Sequence, residues 1–212
     1  MKTFLTLIVV LVVGLLGAAL WWRDAARRRS LPCPAWLDFF LENPLADSEA
    51  VKQIGRTALA PGMRVLDVGC GTGRITIPSA RQVAPGGEVV ALDIQTAMLD
   101  KVARRAEENG LTNVRTVLAG LGRGEFREQN AFDRAFLTTV LGEILNQELA
   151  LQEIYAALKP GGVLSITEVL VDPHYQSRGT VRRLCEEAGF RLEQTYGSVF
   201  NFTMNFVKPA AG

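Results

Sequence analysis

The chain is poor in the residues that usually announce metal or redox chemistry. Its 212 residues include one histidine, His174, and three cysteines, Cys33, Cys70 and Cys185. The cysteines are odd in number and far apart, so they give neither a disulfide framework nor the ligand spacing of a zinc site, and they fit a reducing compartment. No metal is expected. Internal repeats and low-complexity tracts are absent too, which excludes a solenoid. At 21% charged and 48% hydrophobic the bulk of the chain is globular, not disordered. Acidic residues are scarce at the N-terminus: Lys2, Arg23, Arg27, Arg28 and Arg29 have only Asp24 beside them before residue 30. The remainder carries 18 basic against 21 acidic residues, a net of −3. Such a domain lacks the basic footprint that nucleic acid requires, so no nucleic-acid partner is expected.

What is present first is a long hydrophobic run. Residues 4–22 read FLTLIVVLVVGLLGAALWW, without a charge. As a helix the run would be about 28 Å long at about 1.5 Å per residue, the thickness of a bilayer's hydrocarbon core. Trp21 and Trp22 would sit at the interface, and the arginines after them place the rest of the chain in the cytoplasm. The competing reading is a cleaved leader, suggested by the small residues Gly17, Ala18 and Ala19. The two-residue start Met1-Lys2 and a tryptophan pair followed by arginines favour an anchor. A buried core helix is excluded because no face of the run is polar.

Three regions are therefore expected: a transmembrane anchor at 1–22, a linker at 23–50, and a single folded domain at 51–212. The linker is basic at its start and interrupted by Pro32 and Pro34. Within it Trp36, Leu37, Phe39, Phe40 and Leu41 form a short apolar segment closed by Asn43-Pro44. That segment either packs on the domain or acts as a lid or membrane-dipping helix beside a ligand site.

The domain alternates strand-like and helix-like stretches. Strands are expected at 64–68, 88–94, 114–118, 132–140 and 163–170. Helices are expected at 48–59, 75–83, 97–109 and 148–158, with another capped by Thr180 and ending at Gly189. The last two strands, 191–196 and 202–207, follow each other without a helix and should form an antiparallel hairpin. Strands alternating with helices imply an α/β fold, its mainly parallel sheet covered by helices on both faces. Its ligand should lie outside the carboxyl ends of the strands.

The informative motif is Val65-Leu66-Asp67-Val68-Gly69-Cys70-Gly71-Thr72-Gly73. Glycines at a strand end let the backbone turn sharply and approach a ligand closely. Arg74 stands where the dinucleotide fingerprint has its last glycine, which disfavours a nicotinamide oxidoreductase. Asp67 lies inside the strand end, where a carboxylate can meet a cationic amino group. Asp93 ends the next strand, where it can accept ribose hydroxyls. Cys70 reads as a small residue in a tight loop, not a nucleophile.

Across about residues 50–208 these features resemble the class I S-adenosylmethionine-dependent methyltransferases. The resemblance implies a Rossmann-like seven-stranded sheet with one antiparallel strand near its edge, and S-adenosyl-L-methionine as cofactor. It implies that Asp67, Gly69, Cys70, Gly71 and Gly73 line the methionine part and that Asp93 binds the ribose. Ile94 and Gln95 would flank the adenine with Met98 nearby, and Thr138 would lie beneath the sulfonium. Many relatives carry an acid after the third strand. Here the segment is Ala119-Gly120-Leu121-Gly122-Arg123-Gly124, which leaves Leu121 as the adenine contact. The same region is similar to ubiquinone/menaquinone C-methyltransferases, soluble-type phospholipid N-methyltransferases and anchored thiol methyltransferases. The expected acceptor is a small apolar or amphiphilic molecule, a lipid, quinone-like compound or thiol. An enzyme fixed at a bilayer meets such molecules at high local concentration. A poor nucleophile would need a base, and the candidates near the strand ends are His174, Glu143 and Glu168, with Asp172 beside the histidine. A non-catalytic cofactor-binding or scaffold protein is the alternative, and oligomeric state is not legible.

Overall fold

The computed structural model describes residues 44–210. The expected anchor at 1–22 and the apolar segment at 36–41 lie outside them. Among the described residues no helix is long and apolar enough to cross a membrane.

Seven strands form one sheet: β1 (Arg64–Val68), β2 (Glu88–Asp93), β3 (Val114–Leu118), β4 (Phe132–Thr138), β5 (Leu158–Val169), β6 (Arg191–Gly197) and β7 (Asn201–Val207). Their order is β3-β2-β1-β4-β5-β7-β6. The first five run parallel, whereas β7 is antiparallel to both β5 and β6. The central strands are buried on both faces, which is why β1 and β2 read as continuous apolar runs instead of alternating. β6, at an edge, is mostly exposed.

The helices are α1 (Pro44–Gly55), α2 (Thr76–Val83), α3 (Thr96–Glu108), α4 (Gln147–Ala157) and α5 (Arg178–Glu187). Both faces of the sheet are covered. Ala50 and Ile54 of α1 and Ala80 and Val83 of α2 pack with Val65, Val89 and Phe136, while Leu99 and Val102 of α3 pack with Ala91. On the other face Leu151 and Ile154 of α4 and Val181 and Leu184 of α5 join Leu66, Val90, Leu92, Leu164 and Ile166 in the largest core cluster. Pro78 is tolerated because it falls in the first turn of α2, where its missing N–H has no partner to lose.

Several boundaries differ from expectation. α1 starts at Pro44 and stops at Gly55, so part of the expected linker is helical. β5 starts at Leu158, because the Lys159-Pro160-Gly161-Gly162 turn is spliced into the strand as an irregularity between the pairs Phe132–Leu158 and Arg134–Val163. α5 is capped by Ser177, whose hydroxyl accepts from the Thr180 amide; Thr180 is the capped residue, not the cap.

Side-chain hydrogen bonds fix the direction of α1. Gln53 accepts from the Thr138 hydroxyl at 2.8 Å, near the carboxyl end of β4. Just beyond α1, the Thr57 carbonyl accepts from Arg134 at 2.6 Å, near the start of β4. The helix therefore runs antiparallel to β4, and Pro44 lies at the ligand end of the sheet. The opposite end is ionic: Arg64 and Arg115 each bridge Glu88 and Glu128, and Lys159 pairs with Asp133.

Candidate active site

The glycine loop continues the β1–β2 ladder past the end of β1. The amides of Gly69 and Cys70 both donate to the Leu92 carbonyl, at 2.8 and 3.0 Å, and the turn closes with Gly73 N–H to Cys70 O at 2.9 Å. Gly69 and Gly71 have φ of 64° and 51°, a region where only glycine is unstrained. At Gly69 a Cβ would overlap Val140, so the loop sits directly on the end of β4. At Gly71 a Cβ would meet nothing within 4 Å, so that glycine opens onto free space. Arg105 of α3 holds the loop from behind, donating to the Thr72 carbonyl at 2.9 Å.

Two carboxylates frame this loop. Asp93, buried at the end of β2, accepts from the Gly71 amide with Oδ2 (3.1 Å) and from the Gln95 amide with Oδ1 (2.9 Å). Burial pushes its pKa up, against the pull of the Gln95, Gly71 and Ile94 amides. Asp67 lies beneath the loop and accepts from the Thr76 hydroxyl at 2.5 Å. Its burial is nearly complete and raises its pKa to about 7, with Thr76 opposing and the Asp93 charge adding to the rise. Asp67 thus ties the loop to the start of α2 and also carries a carboxyl that a cationic group would ionise fully. Cys70 is buried, and burial raises its thiol pKa far above neutrality, so it is not a nucleophile.

The expected adenine contacts divide. Ile94 is exposed beside Asp93, Gln95 is half-buried, and Met98 is buried under them. Leu121 instead packs into the main core with Leu92 and Phe126. Leu118, missed in the sequence, takes the open position: it is the β3 partner of Asp93 and is exposed. No sequence signal marked it, since its place beside Asp93 at the sheet edge is set by the strand register. The glycine-rich segment after β3 carries no acid of its own, and the acids around it serve its backbone. Glu153 of α4 accepts from the Gly122 and Gly124 amides, and Glu125 from Gly120. S-adenosylmethionine fits these residues: the open face at Gly71, the two carboxyls and the Ile94–Leu118 pair suit its amino acid, ribose and ring in turn.

The candidate proton-transfer residues converge beyond β4 and β5. A short 3-10 turn (Leu141–Glu143) follows β4, and at Gly142 a Cβ would overlap the His174 carbonyl. That close approach brings Glu143 to 3.9 Å from His174 Nδ1, and Asp172, two residues before the histidine in the same turn, lies at 3.8 Å. Asp172 also accepts from the His174 amide at 2.7 Å. Glu168, near the end of β5, accepts from the Gln176 amide at 3.1 Å. Burial raises the Glu168 pKa to about 8, opposed by that amide and reinforced by Asp172 and Glu143. Among the described residues Glu168 Oε1 and His174 Nε2 are buried without a hydrogen-bond partner. Thr138 is committed to Gln53, and its neighbour Thr139 holds a left-handed φ of 57°, a strained position for a branched residue. On the α4–α5 side of the His174 loop an open groove of about 1040 Å³ is lined by Leu145, Tyr175, Gln176 and Arg183 among others.

The sheet order, the glycine loop and the paired carboxylates define a class I methyltransferase domain, a class that uses S-adenosylmethionine. Residues 59–200 match the model of the methyltransferase domain family, and the chain belongs to that family. Among curated proteins it is 35% identical over 109 residues to the demethylmenaquinone methyltransferase of Symbiobacterium thermophilum, covering 51% of this chain and 43% of that one. It is 38% identical over 115 residues to a ubiquinone/menaquinone biosynthesis C-methyltransferase of Bordetella parapertussis, covering 54% and 44%. The match thus spans less than half the length of these relatives. The fold is shared with a SAM-dependent methyltransferase from Aquifex aeolicus (TM-score 0.76, 22% identity, 84% of this chain and 100% of that one). It is also shared with Haemonchus contortus phospholethanolamine N-methyltransferase 2, solved with phosphomonomethylethanolamine and S-adenosylhomocysteine (TM-score 0.67, 18% identity, 82% and 56%).

Proposed function

We propose that this chain methylates a quinone-like, membrane-partitioned acceptor, held at the cytoplasmic face of a bilayer by residues 4–22. The observation that carries the acceptor chemistry is two buried atoms without hydrogen-bond partners, Glu168 Oε1 near the end of β5 and His174 Nε2 in the loop that follows it. Buried polar atoms without partners are rare and call for an explanation, and a ligand's oxygen would supply one. The names of the two curated relatives support a quinone-type ring. The apolar residues 36–41 precede α1 at its ligand end and suit an apolar tail.

When bound, S-adenosylmethionine supplies an electrophilic methyl group whose transfer is an in-line displacement. The chain's residues hold the acceptor in line and exclude water. A ring carbon of the acceptor's reduced, hydroquinone form becomes nucleophilic when its neighbouring hydroxyl loses a proton. His174 Nε2 takes that proton, and the carboxylates of Glu143 and Asp172 offset the charge formed on the imidazole. Once the carbon–methyl bond has formed, the ring carbon's own proton leaves to solvent and His174 returns its proton to the oxygen, so one proton is released for each methyl transferred. Glu168, neutral at pH 7, donates to a second acceptor oxygen.

The test is incubation of the purified chain with methyl-labelled cofactor and, separately, quinone and phospholipid extracts, followed by mass spectrometry. Label in a quinone supports the reading. Label only in a phospholipid overturns the acceptor, and cofactor binding without any labelled product favours a non-catalytic protein.

A further inference from the structure

Among the described residues seven large apolar side chains are exposed, and six stand at one end of the molecule. Ile94 follows β2, Leu118 closes β3, Leu145 lies beyond β4, Val171 follows β5, and Val199 and Phe200 form the β6–β7 turn. Only Val51, on α1, falls elsewhere. Single exposed apolar residues are ordinary, but their segregation to one end is not. Ile94 and Leu118 flank the ring position of the cofactor. The other four have no such cover, and Val171 is 90% exposed.

The rim is firmly built. The Phe200 carbonyl accepts from the Leu170 amide, and the Val199 carbonyl from the Tyr175 hydroxyl, each at 2.8 Å. The β6–β7 turn is thereby fastened to the segment that carries Val171 and His174. At the far end of the same strands the ion pairs of Arg64, Arg115, Glu88 and Glu128 form a charged base. The exposed large apolar side chains thus gather where the ligand end opens, around the recessed carboxyls of Asp93, Glu143 and Asp172, and ion pairs gather at the opposite end. A surface of that kind suits a bilayer interface, where apolar side chains enter the headgroup boundary and charge stays in water.

We propose that Leu145, Val171, Val199 and Phe200 dock the domain on a lipid bilayer with its ligand end against the membrane. The direction of α1 favours lipid as the occupant. Pro44 lies at this same end, so the 43 preceding residues, with their uncharged 19-residue run, join the domain on the side the rim faces. The proposal rests on the membrane reading given above. It adds an orientation: an apolar acceptor would pass from lipid to the site without crossing water.

The test uses the full chain carrying Cys33→Ser, which leaves only the buried Cys70 and Cys185. Phe200→Cys, or Gln129→Cys at the ionic end, is labelled with an environment-sensitive fluorophore. Each protein is reconstituted in phosphatidylcholine–phosphatidylglycerol vesicles with and without a spin-labelled quencher lipid. The expected result is a blue-shifted probe at 200, quenched at least twofold by the lipid, and an unquenched probe at 129. Vesicle-bound protein with both probes unquenched overturns the docking while leaving the anchor standing. A chain that does not sediment with the vesicles overturns the membrane reading itself. A probe at 200 that is blue-shifted but unquenched is covered by protein, by a second copy or by residues 36–41, and also overturns the proposal.

Discussion

Asp67, Asp93 and Glu168 are single carboxyls whose protonation is set by burial. Glu168 binds its proton more tightly in the folded chain, where its pKa rises from an ordinary 4.5 to about 8. Between those values the unfolded chain has released a proton that the folded chain keeps, so the group's contribution to stability falls as pH rises through that window. Glu168→Gln removes the slope. Because each tenfold change in proton affinity is worth about 1.4 kcal/mol, the variant should gain about 2–4 kcal/mol on wild type between pH 5 and pH 8. Urea denaturation at the two pH values measures this, and parallel curves for both proteins would show Glu168 to be ionised in the fold. Asp93 works differently, since its oxygens already order the Gly71 and Gln95 amides and have lone pairs left for hydroxyls. Asp93→Ala should weaken S-adenosylhomocysteine binding at least tenfold, more than 1 kcal/mol, through lost charge-assisted hydrogen bonds. Unchanged calorimetric affinity in both Asp93→Ala and Asp67→Ala would remove the cofactor site from this loop.

Elements were legible in the sequence wherever a local signal set them. The strands at 64–68 and 114–118 were readable to the residue, because each is a short apolar run bounded by turn residues. The final hairpin followed from two strands without a helix between them. The start of β5 was not legible, because a Pro-Gly-Gly turn normally ends a strand and here is absorbed as an irregularity within one. Leu121 and Leu118 could not be told apart by type; only the fold decides which leucine enters the core and which faces out. Gly142 carried no signal either, since its need is tertiary: the 3-10 turn meets the His174 carbonyl where no side chain fits. Gly142→Ala must therefore push the His174 segment away from Glu143. Turnover should fall at least tenfold while S-adenosylhomocysteine affinity stays within twofold, because the glycine loop is a separate contact. Wild-type turnover in that variant would mean that the His174–Glu143 approach has no part in the reaction.

At the scale of the whole molecule the question is whether the hydrophobic run belongs to the fold or only tethers it. Among the described residues three core clusters cover both faces of the sheet with α1–α3 and α4–α5. Gln53 and Arg56 of the α1 region bond to Ser165 and Thr203 across β5 and β7, so that face is closed by residues inside the domain. In the sequence, Pro32 and Pro34 interrupt any helix continuing from the run at 4–22. A chain beginning at Arg27 should therefore be soluble without detergent, show the circular dichroism of an α/β domain and unfold cooperatively. It should bind S-adenosylhomocysteine within about twofold of the full chain, since the glycine loop, Asp67 and Asp93 are all retained. Its rate on an acceptor embedded in vesicles should drop at least tenfold, and its rate on a short-chain, water-soluble analogue should not. That split separates tethering from folding. A shortened chain that is unfolded, or that loses cofactor affinity, would place the apolar run inside the structure of the domain. One that keeps its full rate on the vesicle-bound acceptor would show that the membrane contact lies elsewhere in the chain.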